Sequence, residues 1–170
     1  MKLNIGCGSR RLPGYIGCDV TEGPEVDVVA QADKIPLADG CAEEVLAVHL
    51  LEHLPRWGVA EALAEWKRLL VPGGMLVLEL PNLVKCCENY LSGRMRGGKH
   101  PDQLARFGIY GDPRLQNKWM LHAWGYSPEE VIQILTEAGF EGAVEKPTVF
   151  HPCGRDHRDM RLESRKPANA

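Results

Sequence analysis

A glycine-rich turn between two short apolar segments is the feature that most constrains the fold of this chain. The first segment and its turn read LNIGCG (residues 3–8), and the second reads YIGCDV (residues 15–20). We interpret them as a buried strand, a turn containing Gly6 and Gly8, and a second strand ending in Asp19. Glycines let the backbone approach a ligand closely, and a carboxylate beyond the next strand can accept hydrogen bonds from ribose hydroxyls. The layout predicts a site for a ribonucleoside-containing cofactor; a plain tight turn followed by a strand-end acid is the alternative.

Short apolar segments alternate with helical patterns along the rest of the chain. Strands are predicted over 2–6, 15–19, 26–30, 44–48 and 74–80, with two late strands near 141–147 and 158–164. A helix is predicted near 56–70 and is expected to stop at the PGG sequence of 72–74. A second helix is predicted from Ser127, where SPEE is typical of a capping box, to Gly139. The alternation predicts an α/β fold with a largely parallel sheet covered on both faces.

Length and charge limit the remaining choices. The 170 residues fit a single domain, which we expect to span 1–165 and to end in a frayed tail at 166–170. A net charge of −3 argues against general nucleic-acid binding. No apolar run approaches the roughly 20 residues of a membrane span, and the first strand follows Met1 and Lys2 directly, so we expect no membrane contact, no signal peptide and a cytoplasmic location.

The segment 92–126 differs from its surroundings and is interpreted as a lid. It contains six glycines, five aromatic residues and six Lys or Arg against two Asp, a local charge of +4. Long connections of this kind are usually functional lids or disordered, and the aromatic residues argue against disorder. Its basic residues are Arg94, Arg96, Lys99, Arg106, Arg114 and Lys118. They predict either recognition of an anionic substrate or a solvated loop.

Cysteine and histidine spacing does not predict a metal site. None of the six cysteines lies in a Cys-x-x-Cys pair, so they are interpreted as free thiols. His151, Cys153 and His157 could be drawn as zinc ligands, but a structural zinc needs a fourth ligand. In HLLEH (residues 49–53), the two histidines share one face only if the stretch is helical, and we expect a strand-to-helix turn there. We therefore predict no metal.

Several segments, taken in order, resemble motifs of the class I S-adenosylmethionine-dependent methyltransferases, in particular the small type with a generic methyltransferase domain. They are LNIGCG (3–8), GCDV (17–20), QADKIPLADG (31–40), HLLEHL (49–54), LLVPGG (69–74), and YSPEE (126–130) through AGF (138–140). The resemblance covers nearly the whole chain. It implies a Rossmann-like, seven-stranded, mostly parallel sheet with helices on both faces and an antiparallel final strand.

The resemblance also implies S-adenosylmethionine as the cofactor. Gly6 and Gly8 would lie under its methionine part, Asp19 would bind the ribose, and Val20 would pack on the adenine. Gln31, Ala32 and Asp33 would face the adenine edge, and His49 and Leu50 would flank the sulfonium. The full implied cofactor set is Asn4, Gly6, Cys7, Gly8, Asp19, Val20, Gln31, Ala32, Asp33, His49 and Leu50.

Three positions depart from the family pattern. Asn4 stands where an acid is frequent, Arg10 where a third glycine is common, and Gln31 where an acid is frequent. In addition, only about ten residues separate the glycine turn from the end of the second strand, fewer than a βαβ crossover normally needs. The first crossover helix is therefore expected to be very short or absent, and the cofactor to be more exposed, covered by the lid or covered by a partner subunit in a homodimer.

The predicted function is S-adenosylmethionine-dependent methyl transfer to an unidentified acceptor, expected to be a small molecule, with an anionic one as an option. His49 is the candidate catalytic base because imidazole titrates near neutrality, although lining the pocket without proton transfer is an equal alternative. His53 is more simply explained as hydrogen-bonded to backbone. The alternative functions are a non-catalytic S-adenosylmethionine-binding or partner-binding module and, less favoured, a nicotinamide-dependent oxidoreductase.

Overall fold

One seven-stranded sheet organises the computed structural model, which describes residues 1–92, 101–150 and 158–169, with only the backbone described at 101–104. The strands are β1 Lys2–Ile5, β2 Tyr15–Asp19, β3 Val28–Val29, β4 Ala42–Val48, β5 Leu70–Pro81, β6 Glu141–Lys146 and β7 Asp159–Arg165. The helices are α1 Val59–Leu69, α2 Leu83–Ser92, α3 Pro101–Tyr110 and α4 Pro128–Glu137. Four short 3₁₀ turns lie at Leu51–His53, Arg56–Gly58, Pro113–Leu115 and Lys118–Met120.

The strand order is β3-β2-β1-β4-β5-β7-β6, and it confirms the predicted fold class. Strands β1 to β5 pair in parallel, whereas β7 is antiparallel to both β5 and β6. The chain runs outward from β1 through β2 to β3, and then returns to the other side of β1 with β4. Ligands of open α/β sheets bind in the crevice where the strand order reverses in this way, so the topology directs attention to the carboxyl ends of β1, β2 and β4.

The first crossover is as short as predicted. Residues 6–14 join β1 to β2 without a helix, yet the two strands are parallel, with Leu3 opposite Ile16. Arg10, which replaces the third glycine, donates a hydrogen bond from its guanidinium to the carbonyl of Phe150. The loop is therefore fixed by this contact with Phe150, because no helix follows it to fix its position.

Helix α1 packs on the sheet through the stripe that its apolar spacing predicted. Val59, Leu63 and Trp66 are buried, together with Ala62. The helix ends at Leu69, within one residue of the predicted end, but the PGG sequence does not stop it: Leu70 is already extended and paired with Ala42 at the start of β5. The PGG sequence of 72–74 consequently lies in the strand. Burial of Leu70 in the sheet core overrides its position in a helical pattern.

The later elements match the sequence with two exceptions. Ser127 and Glu130 form both hydrogen bonds of the predicted capping box, and Gly139, with a φ of +76°, follows the end of α4. Helices α2 and α3 were not predicted. The predicted tail also begins too early, because the carbonyl and N–H of Lys166 bond to Gly73 and Gly74. None of the described helices combines the length and the apolar character needed to cross a bilayer.

Candidate functional site

A cavity of about 1280 Å³ opens at the carboxyl ends of β1, β2 and β4. Its volume exceeds the roughly 300–1,000 Å³ of most small-ligand sites. All eleven residues of the predicted cofactor set line it: Asn4, Gly6, Cys7, Gly8, Asp19, Val20, Gln31, Ala32, Asp33, His49 and Leu50. Parallel strands bring these residues together because each segment follows a strand that ends at the same edge of the sheet.

The two glycines of the turn have different surroundings. Both adopt positive φ, +70° at Gly6 and +55° at Gly8, which favours glycine. A Cβ on Gly6 would lie 2.9 Å from Cδ1 of Leu50, so this glycine makes room for a neighbouring side chain. A Cβ on Gly8 would meet nothing within 4 Å. Gly8 is thus the position where bare backbone faces the open cavity.

Asp19 is fixed by the backbone of the two loops beside it. One carboxylate oxygen accepts a hydrogen bond from the N–H of Gly8 at 2.8 Å, and the other accepts one from the N–H of Thr21 at 2.9 Å. A carboxylate has about four acceptor positions, so each oxygen can accept a further bond. The side chain can therefore bind hydroxyl groups in the cavity while it orients the glycine turn.

The wall of the cavity formed by Val20 and residues 31–33 combines an apolar surface with polar edges. Val20 is 41% exposed although it is apolar, and Gln31, Ala32 and Asp33 follow along the loop after β3. The loop is anchored from below, because the indole N–H of the fully buried Trp66 donates to the carbonyl of Ala32 at 2.8 Å. A planar, weakly polar ring would fit between such a surface and such edges.

His49 lies between two buried carboxylates. It follows β4 with a φ of +51°, and its N–H donates to the carbonyl of Glu79. Nδ1 lies 2.8 Å from Oε1 of Glu52, and Nε2 lies 3.1 Å from Oδ2 of Asp159. Burial alone would lower the pKa of His49, but the two carboxylates outweigh it and raise the pKa from 6.5 to about 9.

The same contacts affect the acids. Burial opposes ionisation of Asp159, yet His49 and Arg158, whose Nε lies 2.6 Å from Oδ1, hold the pKa of this carboxyl well below its usual range. The pKa of Glu52 is likewise lowered despite its burial, chiefly by His49. The imidazole is therefore protonated at neutral pH with both nitrogens against carboxylates. Neither nitrogen is left to accept a proton, and this arrangement does not fit the catalytic-base role predicted for His49.

Cys7 lines the cavity but is not activated. Burial, followed by the nearby charge of Asp19, raises the pKa of its thiol to about 11, so the thiol stays neutral at physiological pH. Its Sγ lies 3.6 Å from the carbonyl of Glu25. The neutral thiol therefore packs in the cavity wall and does not serve as a nucleophile.

The predicted lid supplies the far wall of the cavity. Phe107, Trp119 and Met120 line it. Arg114 also lines it, but its charge is paired with Asp112 at 2.5 Å, and its guanidinium lies 4.8 Å from the centre of the Phe107 ring. Of the other predicted basic residues, Lys118 lies over Trp119 and Arg106 contacts Tyr90, whereas Arg94, Arg96 and Lys99 fall outside the described residues.

The sequence analysis missed a cluster of polar side chains at the cavity, formed by Glu52, His53 and His122. His53 and His122 line the cavity, and Glu52 is buried beside them. One ligand atom from each of the three lies within 4.8 Å of the others. The sequence gives little signal for this group, because His122 comes from the lid, far along the chain from HLLEH. The other three residues considered as zinc ligands lie outside the described residues: His151, Cys153 and His157.

Comparison with known proteins finds a methyltransferase match for part of the sequence and methyltransferases with the same fold. Residues 16–78 match the family model described as a methyltransferase domain. The chain has the class I methyltransferase fold. The resemblance predicted from the sequence motifs is thereby confirmed.

Solved methyltransferase structures superimpose over nearly all of this chain. A SAM-dependent methyltransferase from Archaeoglobus fulgidus matches at 17% identity and a TM-score of 0.61, covering 97% of this chain and 85% of the other. A Burkholderia thailandensis 1,6-didemethyltoxoflavin-N1-methyltransferase, solved with that compound and S-adenosylhomocysteine, matches at 14% identity and 0.62, covering 98% and 70%. The CurJ carbon methyltransferase matches at 15% and 0.60, covering 98% and 48%.

This methyltransferase-fold chain is shorter than some of these relatives. It spans about half the length of the CurJ carbon methyltransferase and of the citrinin polyketide synthase CMeT domain. No curated protein matches its sequence.

The residues present fit the cofactor that the fold implies. S-adenosylmethionine carries an adenine, a ribose and an amino-acid part. The cavity offers an exposed apolar surface at Val20, a fixed carboxylate at Asp19 and unobstructed backbone at Gly8.

Proposed function

We propose that this chain binds S-adenosylmethionine and directs methyl transfer to a small-molecule acceptor in the same cavity. The observation that carries the proposal is the bond between Asp19 and the N–H of Gly8 at the reversal point of the sheet. This bond places the carboxylate that suits a ribose beside the backbone of Gly8, which no side chain obstructs. The methyltransferase-domain match and the solved neighbours support the same reading.

The work of the chain is binding, orientation and exclusion of water. When bound, the cofactor supplies an activated methyl group on a positively charged sulfur, so a protein base is not obligatory. Asp19 accepts hydrogen bonds from the ribose hydroxyls, and Gln31 and Asp33 offer polar edges to the adenine. The wall from Phe107 to Met120 shields the opposite side of the cavity from solvent. Holding the reacting groups in line accounts for most of what such a site must contribute.

His49 acts in this proposal as a fixed cation that positions its surroundings. Its ring holds Glu52 and Asp159 at one end of the cavity, and its backbone sets the turn that leads to Leu50. Leu50 fills the space that Gly6 leaves open. At this position the acceptor would therefore contact residues held in place by ion pairs, and no group there would accept its proton.

The lid wall favours a planar, partly apolar acceptor. Phe107 and Trp119 provide aromatic faces, and Arg114 is already neutralised by Asp112. The B. thailandensis enzyme was solved with a small compound, 1,6-didemethyltoxoflavin. We propose an acceptor of similar size for this chain, with residues 101–126 serving as the lid of a domain that spans 1–165.

Calorimetric titration with S-adenosylhomocysteine tests the binding half of the proposal. Asp19→Ala removes both the hydroxyl acceptor and the contact with Gly8, so we expect Kd to rise at least about 10-fold, the equivalent of one lost charged hydrogen bond. Asp39→Ala is the matched control, since Asp39 is an exposed acid that pairs with Arg68 and does not line the cavity. No binding by the wild type, or equal binding by both variants, would refute the assignment.

Incorporation of labelled methyl groups tests the catalytic half. Wild-type protein incubated with methyl-labelled cofactor and a small-molecule extract should transfer label, and Asp19→Ala should transfer much less. Binding without transfer to any fraction would identify a non-catalytic cofactor-binding module instead. Thermal stabilisation by NAD and not by S-adenosylhomocysteine would indicate the oxidoreductase alternative.

A further inference from the structure

The two histidines beside Glu52 are oriented as metal ligands usually are. Nδ1 of His53 lies 3.0 Å from the carbonyl of Leu121, and Nδ1 of His122 lies 3.1 Å from the carbonyl of Gly108. A carbonyl can only accept, so each Nδ1 carries a proton, and in the neutral form of each ring Nε2 keeps a lone pair for a ligand. Metal-binding histidines almost always donate their other ring N–H in this way, which fixes the tautomer and the ring orientation.

Glu52 supplies a carboxylate that the surrounding protein does not satisfy. Its side chain is buried, with 1% of the residue exposed. Oε1 lies against His49, but Oε2 has no hydrogen-bond partner among the residues that the structure describes. A buried carboxylate oxygen without a partner is costly unless an ion or a donor meets it. The imidazoles of His53 and His122 lie beside it, and in the neutral form of each ring a nitrogen lone pair can meet a carboxylate oxygen only through a bridging ion or donor.

The three residues are held together by the backbone. Glu52 and His53 belong to the 3₁₀ turn after β4, and His122 follows the last 3₁₀ turn of the lid. The carbonyl of Glu52 accepts hydrogen bonds from the N–H groups of Ala123 and Trp124, at 2.7 and 3.2 Å. The two segments are thus tied next to the ligand atoms, as a preformed site requires.

We propose that Glu52, His53 and His122 bind one divalent transition-metal ion at the acceptor end of the cavity. Two imidazoles and one carboxylate suit zinc, iron(II) or a similar ion. The ligand atoms lie within 4.8 Å of one another, and ligands in a tetrahedral site with bonds of about 2.1 Å lie roughly 3.4 Å apart. Small rotations, chiefly of the partly exposed His53, close that difference.

The bound ion keeps open positions on the cavity side. Three protein ligands leave room for water or substrate, which is the arrangement of catalytic rather than structural metal sites. His53 and His122 line the cavity, so those positions face the proposed acceptor. The ion would bind an oxygen of the acceptor and orient it, a role that rests on the proposed function, whereas binding of the ion itself does not.

Titration of the tag-free, chelator-treated full chain with Co²⁺ tests the site, because visible absorption reports the ligands around cobalt. We expect one ion per chain and a spectrum of mixed nitrogen and oxygen coordination. His122→Gln and Glu52→Gln should each raise Kd by at least about 100-fold, since loss of a direct ligand exceeds the 10- to 100-fold effect of an outer partner. His53→Gln gives a further test because His53 is partly exposed, and it should do the same if Glu52→Gln, at a buried position, folds poorly.

The control removes the other set of candidate ligands that the sequence offers. A His151→Gln, Cys153→Ser double variant should bind Co²⁺ with unchanged affinity. Loss of binding in this variant, retention of it in His122→Gln and His53→Gln, or absence of binding to the wild type would each overturn the proposal. Calorimetry with S-adenosylhomocysteine on the same metal-free protein separates the two ideas, because failure of cofactor binding leaves the cobalt result unaffected.

Discussion

Replacing His49 with asparagine should expose how strongly this imidazolium holds the site together. Asparagine tolerates the left-handed backbone, here a φ of +51°, better than most residues. It cannot supply the cation that lies 2.8 Å from Glu52 and 3.1 Å from Asp159. Arg158 still pairs with Asp159, but the charge of Glu52 remains buried and uncompensated. We expect the free energy of unfolding to fall by about 3–5 kcal/mol near neutral pH, the usual cost of breaking a buried ion pair.

The pH dependence gives this prediction its sharper form. The pKa of His49 is raised from 6.5 to about 9 in the folded protein. A group whose pKa rises on folding stabilises the fold fully below its unfolded pKa, and the stabilisation is lost as the pH rises through the folded value. At about 1.4 kcal/mol per unit, the shift corresponds to about 3 kcal/mol at most. About 2 kcal/mol of this should disappear between pH 7 and the folded pKa of about 9.

Urea unfolding followed by tryptophan fluorescence measures the effect, with chelator and reductant present. The difference in stability between the wild type and the His49→Asn variant is the informative quantity, because thiols and tyrosines common to both proteins cancel in it. The two stability curves should converge as the pH approaches 9. His53→Gln, which leaves His49, Glu52 and Asp159 in place, should still lose stability as the pH approaches 9. Parallel curves for wild type and the His49→Asn variant would mean that the buried imidazole is neutral, and the reasoning would be wrong.

Two buried aromatic residues give simpler predictions. The hydroxyl of Tyr126 is buried without a hydrogen-bond partner among the described residues. Tyr126→Phe should therefore leave the free energy of unfolding unchanged or raise it by about 1 kcal/mol. A fall in the free energy of unfolding by more than about 1 kcal/mol in urea would show that the hydroxyl has a partner. Trp66→Phe should lower the free energy by about 1–3 kcal/mol, because it strands the carbonyl of Ala32, whereas Trp57→Phe at an 85% exposed position should change it by less than about 0.5 kcal/mol. Equal effects of the two tryptophan variants in the same assay would contradict this account.

The parts of the fold that the sequence predicted are those that follow from local pattern. Each of these features depends on residues that are close in sequence. They are the apolar runs of β1 and β4, the stripe of α1 and the capping box at Ser127. The start of β5 at Leu70 was missed, because the choice between helix and strand there depends on pairing with Ala42, which is distant in sequence. Helix α2 was missed although Oδ1 of Asn82 caps it by accepting from the N–H of Lys85; Cys86 is its only fully buried residue.

The candidate site divides along the same line. Residues at the end of a strand or in the turn after it, such as Asp19 and Gly8, could be assigned to one cavity from the order of the motifs alone. Asp159 and His122 could not, because each reaches the site from an element whose register no local pattern fixes. His49 shows the consequence: its position was predicted, but its chemistry depends on Asp159, and the geometry changes the expectation from a proton acceptor to a buried cation.

The missing helix after β1 alters how the amino-acid end of a ligand can be held. In a complete crossover, the start of that helix would present a partial positive charge and free N–H groups to a carboxylate. Here residues 6–14 provide no such dipole, and Arg10, which lines the cavity while tethered to Phe150, is the nearest full charge along the loop. Recognition at this end therefore depends on an exposed guanidinium, whose attraction is weakened by dissolved salt as a buried helix terminus would not be.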